Sequence, residues 1–170
     1  RDHSAVLGPN DAPVTIIEFF DPACEACRAF HPVVKKIMNE FPGKVRVVLR
    51  YAAFHKQSDQ AVRVLEASRK QGKFLPALEA LLEGQPAWAP HGREGMSFWS
   101  FVSDAGVDIS KAQEDMKNQE ITEVLNTDAA DIRELNVRQT PTFFVNGKPL
   151  EKFGAQPLFD LVKSEVEALD

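Results

Sequence analysis

Two cysteines, Cys24 and Cys27, are the residues of this 170-residue chain whose type and spacing most clearly predict chemistry. They are its only cysteines, and Glu25 and Ala26 alone separate them, so they cannot crosslink distant segments. This spacing closes a small disulfide ring, and unpaired N–H groups at the start of a helix stabilise a thiolate. The pair therefore predicts redox chemistry.

Other uses of the Cys24–Cys27 pair are metal binding and a static disulfide. A structural zinc site needs four ligands, and no second cysteine pair or closely spaced histidine pair completes the set. A disulfide between these two residues closes too short a loop to constrain the unfolded chain strongly. Two thiolates suffice for soft Cu(I), so a copper-binding module is the alternative from a different class of function.

A strand followed by a helix must position the two cysteines. Val14–Phe20 is apolar on both alternating faces apart from Thr15 and Glu18, which is typical of a central strand covered by helices on both sides. Apolar residues then recur with helical spacing over residues 30–41, and Pro32 predicts a bend in that helix. We therefore expect the cysteines in the first turn of the helix.

The rest of the chain adds strands at both ends of a long helical segment. Residues 45–51 are a second β-rich stretch, so the chain begins with a parallel strand–helix–strand unit. Asn146-Gly147, between residues 142–145 and 150–153, predicts an antiparallel hairpin. The intervening 90 or so residues show helical rather than strand patterns, with an irregular loop expected over residues 85–95.

Composition excludes several classes of protein. With 44% hydrophobic and 26% charged residues the chain matches an ordinary globular domain, and a net charge of -5 disfavours nucleic acid as a partner. No apolar run approaches the roughly 18 residues of a membrane span. The chain starts at Arg1 without a methionine or a signal-like apolar segment, as expected of a processed secreted protein or a trimmed chain.

The order of strand, Cys-x-x-Cys, bent helix, strand, helical insertion, Thr-Pro, hairpin and helix resembles the thioredoxin superfamily. The insertion makes the chain similar to the DsbA-like thiol-disulfide oxidoreductases of bacterial envelopes, as does the run Leu7–Phe19 that leads into the first long strand. This resemblance implies an α/β protein with a thioredoxin fold and an inserted helical subdomain, in one domain over residues 1–170. Residues 10–54 and 136–170 would form the thioredoxin-fold part, and residues 55–135 the helical insertion.

The resemblance also implies roles for individual residues. Cys24 would be the nucleophilic thiol and Cys27 the buried resolving thiol, with no metal and no cofactor besides their redox-active disulfide. Glu18 would be a buried acid of raised pKa that relays protons to and from Cys27, the alternative being a solvated glutamate at a strand end. Thr140 and Pro141 stand where the family has a cis-proline loop, so the Thr140 backbone would bind an extended substrate segment.

The dipeptide between the cysteines departs from the family pattern. Strongly oxidising DsbA proteins typically carry Pro-His there, whereas this chain has Glu25 and Ala26. With Asp21 also near, we expect the local negative charge to disfavour the Cys24 thiolate. The hypothesis that follows is an oxidant milder than DsbA, with a potential between those of thioredoxin and DsbA.

The function implied by the resemblance is disulfide interchange with protein thiols, with oxidation favoured as its direction. The alternative within the enzyme class is a reductase or isomerase kept reduced by a membrane donor. The implied partners are thiol- or disulfide-containing substrate proteins and a membrane redox protein of DsbB or DsbD type, and the implied location is the periplasm. No amino-terminal extension is long enough for the dimerisation domain of envelope isomerases, so a monomer is expected.

Overall fold

The computed structural model describes residues 1–170 as a five-stranded sheet with seven helices. In chain order the elements are β1 (Ala5–Leu7), β2 (Val14–Phe20), α1 (Glu25–Glu40), β3 (Val45–Tyr51), α2 (Ser58–Lys70), α3 (Phe74–Trp88), α4 (Trp99–Asp104), α5 (Ile109–Asp115), α6 (Gln119–Leu135), β4 (Thr142–Val145), β5 (Lys148–Pro149) and α7 (Ala155–Glu167). The mixed α/β architecture confirms the predicted fold class.

The sheet has the strand order β1-β3-β2-β4-β5. Strands β2 and β3 are parallel, as the strand–helix–strand pattern predicts, and the other neighbouring pairs are antiparallel. Strand β2 is therefore the central strand and pairs with β3 on one side and β4 on the other. Strand β1, which the sequence reading did not predict, pairs with β3 at the edge of the sheet.

Both faces of β2 are covered, which explains its near-continuous hydrophobic sequence. On one face Val14, Ile16 and Phe20 belong to the main core, to which α1, α7 and the inserted helices contribute. On the other face Phe19 packs in a smaller cluster with Ile132 of α6. Helix α6 thus covers the face opposite to α1. The carboxyl end of β2 leads directly into residues 21–24, the active-site loop, which ends at Cys24.

The helical insertion differs from the sequence expectation at residues 85–95. Helix α3 continues through Gly84 and Pro86 to Trp88, so only residues 89–95 of the expected loop are irregular. Gly84 does not end the helix. A Cβ atom there would lie 2.6 Å from the ring of Phe101, so the glycine permits the close approach of α4.

The hairpin forms where Asn146-Gly147 predicts it, but its second arm is shorter than expected. Strand β5 covers only Lys148–Pro149, whereas residues 150–153 were expected to form the arm. Pro149 stands opposite Phe144 on the edge strand, and just beyond it the Leu150 N–H donates to the Phe143 carbonyl oxygen at 3.0 Å. The missing N–H of Pro149 is thus tolerated at the edge of the sheet. None of the seven helices is both long and apolar enough to traverse a bilayer.

Candidate active site

The two cysteines lie where β2 passes into α1, as the sequence predicts. Cys24 is the N-cap residue of α1, with φ -89° and ψ 126°, and Cys27 lies in the first turn. Both are free thiols; Cys24 is half-buried and Cys27 is 2% exposed. Cys24 Sγ lies 3.5 Å from the Thr140 carbonyl oxygen, and the Asp21 N–H donates to Cys27 Sγ at 3.4 Å. Only Cys24 is therefore accessible to a protein substrate.

The surroundings give the two thiols opposite acidities. Hydrogen bonding from Cys27 is the largest cause that lowers the pKa of Cys24, to about 5; the Thr140 side chain and the N–H groups of Cys27 and Ala26 also lower it, and partial burial opposes them. The pKa of Cys27 is strongly raised, because its hydrogen bond to Cys24 is lost on ionisation and because it is buried. At neutral pH the pair is one thiolate and one thiol, which is the arrangement that disulfide exchange requires.

This finding corrects the expectation that nearby acids disfavour the Cys24 thiolate. The Glu25 side chain is 75% exposed and lies 3.2 Å from His91 Nε2, so its charge faces solvent and an imidazole rather than the sulfur. Asp21 is fully buried and occupied by hydrogen-bond donors. Local hydrogen bonds therefore outweigh the formal charges that the sequence displays.

Glu18 lies on the same face of β2 as Val14, Ile16 and Phe20 and is only 5% exposed. Burial, and secondarily the negative charge of Cys24, raises the pKa of Glu18 to about 8. The electrostatic interaction of Glu18 with Cys27 also raises the pKa of that thiol. The alternative of a solvated strand-end glutamate is wrong: Glu18 is a buried acid that can hold a proton at neutral pH.

The Thr140–Pro141 peptide bond is cis and brings the loop before β4 against the active-site cysteine. Thr140 is half-buried and Pro141 is buried. The Thr142 hydroxyl donates to the Gln139 carbonyl oxygen at 2.6 Å, which closes the loop on itself. The structure thus brings together Cys24, Cys27, Glu18, Thr140 and Pro141, although they are spread over more than 120 residues.

Asp21 has a structural role that the sequence does not reveal, beyond adding negative charge near Cys24. Its carboxylate accepts hydrogen bonds from the Ala23 N–H at 2.9 Å, the Ser58 hydroxyl at 2.5 Å and the Phe54 N–H at 2.9 Å. His55 Nδ1 lies 2.7 Å from Asp21 Oδ2 and donates to it. The only available signal was its position directly after β2, at the start of the active-site loop.

The two basic residues that follow the cysteines in α1, Arg28 and His31, are not hydrogen-bond partners of Cys24. Arg28 is exposed. His31 lies 3.1 Å from Glu79 of α3, which also accepts a hydrogen bond from Lys35. These contacts join α1 to the insertion. The electropositive element beside Cys24 is therefore the N-terminus of α1, where the helix dipole is positive. No group of three or more His, Cys, Asp or Glu side chains is arranged to hold a metal ion.

The fold and the cysteine pair define a class: the thioredoxin-fold thiol-disulfide oxidoreductases of DsbA-like architecture. The chain belongs to the family described as Thioredoxin, whose model matches residues 1–159. A thioredoxin-like oxidoreductase from Silicibacter pomeroyi has a TM-score of 0.83 and 26% identity, with 99% of this chain and 94% of that chain covered. The resemblance recognised in the sequence is thereby confirmed.

Two further solved structures share the fold. Oxidised BdbD from Bacillus subtilis has a TM-score of 0.84 at 24% identity and covers 98% of this chain and 94% of that chain. The thiol-disulfide exchange protein alpha-DsbA2 from Wolbachia pipientis has a TM-score of 0.77 at 19% identity, with 98% and 87% covered. At these identities the likeness concerns the fold.

The curated relatives are much longer proteins. The Na(+)/H(+) antiporter NhaA of Herminiimonas arsenicoxydans is 28% identical over 149 residues, which are 88% of this chain and 23% of that protein. Na(+)/H(+) antiporter NhaA 3 of Salinispora tropica is 30% identical over 153 residues, which are 87% of this chain and 22% of that protein. This chain therefore spans less than a quarter of the length of these relatives.

Proposed function

We propose that this chain is a periplasmic protein thiol-disulfide oxidoreductase that acts through a Cys24–Cys27 disulfide. The observation that carries the proposal is the asymmetry of two adjacent thiols: a half-exposed Cys24 with a pKa of about 5, and a buried Cys27 whose pKa is raised. The accessible sulfur is thus the one attacked, and the better leaving group, in exchange with a substrate. Similarity to a thioredoxin-like oxidoreductase supports the same activity.

In the oxidising direction, a substrate thiolate attacks Cys24 Sγ of the disulfide. The Cys24–Cys27 bond breaks, a mixed disulfide forms between Cys24 and the substrate, and Cys27 leaves with the bonding electron pair. A second substrate thiolate then attacks the substrate sulfur of the mixed disulfide and displaces Cys24 as a thiolate. Two electrons pass from the substrate dithiol to the cysteine pair, and the substrate gains one disulfide.

Glu18 would supply the proton that the departing Cys27 sulfur needs. With a pKa of about 8 the carboxyl is protonated at neutral pH, and the high pKa of Cys27 makes that thiolate a strong base. When a resetting partner reoxidises the pair, the proton would return to Glu18. We expect Glu18→Gln to slow formation and reoxidation of the dithiol at neutral pH, while exchange at the exposed Cys24 with small thiols is less affected.

Thr140 and Pro141 would hold the substrate. The Thr140 carbonyl oxygen lies 3.5 Å from Cys24 Sγ, so a peptide paired with this backbone would present its sulfur to Cys24. Backbone pairing is tolerant of sequence, which suits an enzyme with many protein substrates. We propose that the chain acts on such substrates as a monomer.

We favour oxidation over reduction because of the low pKa of Cys24. Stabilising the reduced thiolate makes the corresponding disulfide more oxidising. The resetting partner would then be a membrane protein of DsbB type that accepts electrons. A reductase or isomerase would instead need a donor of DsbD type. A chain whose only cysteines are one redox pair is compatible with the oxidising periplasm.

The direction is tested by equilibrating the protein in graded glutathione buffers and measuring the reduced fraction of the pair. We expect a potential nearer to that of DsbA, about -120 mV, than to that of thioredoxin, about -270 mV. A value at the thioredoxin end would contradict oxidation as the direction. In parallel, wild type should catalyse oxidation of a reduced, unfolded protein, and Cys24→Ser, in which the nucleophile is removed, should not.

Copper binding is tested by titration with Cu(I) alongside the same assays. The raised pKa of Cys27 disfavours the dithiolate that such a site would use. We therefore expect weak binding that competing thiols displace. Tight stoichiometric binding without any disulfide-exchange turnover would instead identify a copper module and overturn the proposed activity.

A further inference from the structure

A buried amide from the helical insertion contacts the active-site loop. Gln85, in the last turn of α3, is 1% exposed. Its Nε2 donates to the Pro22 carbonyl oxygen at 2.7 Å and to the Cys24 carbonyl oxygen at 2.9 Å. One side chain thus binds two carbonyl groups that lie on either side of Ala23, immediately before α1.

The buried amide of Gln85 is unusual because the side chains buried along the same helix are apolar. The buried positions of α3 are otherwise apolar, with Leu78, Leu81, Leu82 and Trp88 among them. An amide buried among such residues destabilises the fold unless it is hydrogen-bonded, so an apolar side chain would be the ordinary occupant of this position. The bonds of Gln85 to the active-site loop offset that cost.

The Cys24 carbonyl group links Gln85 to the N–H groups that stabilise the Cys24 thiolate. The same oxygen accepts the N–H of Arg28 at 3.1 Å, which begins the hydrogen-bonding pattern of α1. The N–H groups of Ala26 and Cys27, in the turn closed by that bond, stabilise a negative charge on Cys24 Sγ. Fixing the carbonyl oxygen therefore fixes the position of the Cys24 side chain relative to these donors.

Asp21 fixes the other end of the same loop. Its carboxylate accepts hydrogen bonds from the Ser58 hydroxyl and the His55 N–H at the start of the insertion, and from the N–H of Phe54 just before it. Residues of the insertion therefore bind both ends of the loop from Asp21 to Cys24. Gln85 is the member of this arrangement that binds the nucleophilic residue itself.

We infer that Gln85 is a positioning residue for disulfide exchange, holding the Cys24 carbonyl group so that the first turn of α1 stabilises the Cys24 thiolate. The inference rests on the proposed function of Cys24 and extends it by giving the helical insertion a part in setting the redox equilibrium. Gln85 itself touches neither the sulfur atoms nor the substrate, and it acts through the backbone of Cys24.

The test is the variant Gln85→Met, which keeps a side chain of similar length and removes both donors. We expect the redox equilibrium constant with glutathione to change about tenfold toward the disulfide, which is about 30 mV for a two-electron couple. The midpoint of the Cys24 thiolate absorbance titration should rise by about one pH unit. Gln85→Asn, whose amide is one methylene shorter, should show a smaller shift in the same direction.

A matched control is Trp88→Phe in the same helix. It removes a buried donor, the indole N–H that binds the Leu81 carbonyl oxygen at 2.7 Å, without touching the active-site loop. Trp88→Phe should lower the free energy of unfolding and leave the redox equilibrium and the Cys24 titration unchanged. Equal redox shifts in both variants would mean a general loss of packing and would overturn the inference.

Two further outcomes are decisive. A folded Gln85→Met or Gln85→Asn protein with wild-type titration and wild-type redox equilibrium would overturn the positioning role. If the variants shift the Cys24 titration while the wild type catalyses no exchange with protein thiols, the positioning role is supported and the proposed function fails. The two hypotheses are thus separated, because the titration needs no substrate.

Discussion

Cys24 and Cys27 differ in acidity because they lie in different surroundings. Cys24, at the N-cap of α1, is half-buried, whereas Cys27, in the first turn of the helix, is buried. Cys24 faces N–H donors and the cis-proline loop, whereas Cys27 is 2% exposed and donates its proton to Cys24. Each thiol thus determines the acidity of the other. The S–H group of Cys27 stabilises the Cys24 thiolate by hydrogen bonding, and this bond makes Cys27 a weaker acid. The pair titrates as a unit, and changing one member must change the other.

Replacing Cys27 tests this coupling. In Cys27→Ala the largest cause of the lowered Cys24 pKa is removed, so the pKa should move from about 5 toward the ordinary thiol value near 8.5. The rate of alkylation of Cys24 at pH 5 to 6 should fall by at least roughly tenfold, because the thiolate fraction at these pH values decreases as the pKa rises. The measurement is the pH profile of iodoacetamide modification followed by mass spectrometry. An unchanged profile would show that the helix N-terminus alone acidifies Cys24.

Glu18 contributes a stability that depends on pH with a defined sign. Its pKa is raised to about 8 in the folded state from 4.5, so the folded protein keeps a proton that the unfolded chain loses between these values. Stability therefore decreases as pH rises from about 4.5 to 8. Glu18→Gln, which is always neutral, should be more stable than wild type at pH 7 by at least about 1 kcal/mol, since one pKa unit is about 1.4 kcal/mol.

The Glu18 prediction is checked by urea unfolding at pH 4, 6 and 8. The difference in free energy of unfolding between Glu18→Gln and wild type should be near zero at pH 4 and largest at pH 8. Glu25→Gln is the matched control, because Glu25 is exposed and should change stability little at any of these pH values. A Glu18→Gln protein less stable than wild type at pH 8 would contradict the conclusion that Glu18 is a buried acid with a raised pKa.

At the element scale, β3 is joined to α6 by a buried ion pair. Arg50 of β3 is 5% exposed and its guanidinium binds Asp128 and Asp131 of α6. Asp128 also accepts the Tyr51 N–H at 2.9 Å and lies 3.0 Å from His3 Nε2. These bonds attach α6, a part of the insertion, to the sheet face that carries Phe19.

Removing Asp128 should strongly destabilise the fold. Asp128→Ala leaves a buried guanidinium and a buried backbone N–H without this partner, for which a loss of about 3–5 kcal/mol is expected. The midpoint of urea unfolding gives the change. Lys148→Ala, which breaks the exposed contact with Glu165 at 2.9 Å, is the control and should cost less than about 1 kcal/mol. Equal effects of the two variants would contradict this role of α6.

At the scale of the whole molecule, the stability of the fold is coupled to the redox state of the pair. The Cys24 pKa is lowered from 9.0 to about 5 on folding, so the unfolded reduced chain binds a proton that the folded protein has released in this range. A depressed pKa stabilises the folded state as pH rises through this window. The oxidised protein has no ionisable Cys24 and lacks this contribution.

The reduced protein should therefore unfold at a higher guanidinium concentration than the oxidised protein at pH 7. The separation between the two midpoints should widen from pH 5 to pH 8, because the thiolate contribution grows over that interval. Unfolding curves of both forms at each pH give the comparison. An oxidised form that is the more stable at pH 7 would indicate a structural disulfide and exclude an oxidising role.

Features that depend only on neighbouring residues were predictable from the sequence. The spacing of Cys24 and Cys27, the apolar run of β2 and the Asn146-Gly147 turn act through local geometry, and the structure contains each of them. The burial of Glu18, which the family resemblance implied, is also confirmed. Fold class and the cysteine pair were predictable for this reason.

The acidity of the two cysteines, by contrast, depends on contacts that exist only in the folded protein. The formal charges of Glu25 and Asp21 suggested a disfavoured thiolate, but their side chains bind His91 and the start of the insertion. The sequence predicts Gln85 in a loop, whereas the structure places it in α3, where its buried amide binds the Cys24 carbonyl group. Hydrogen bonds between residues distant in sequence leave no local pattern, and their strength depends on burial that only packing creates.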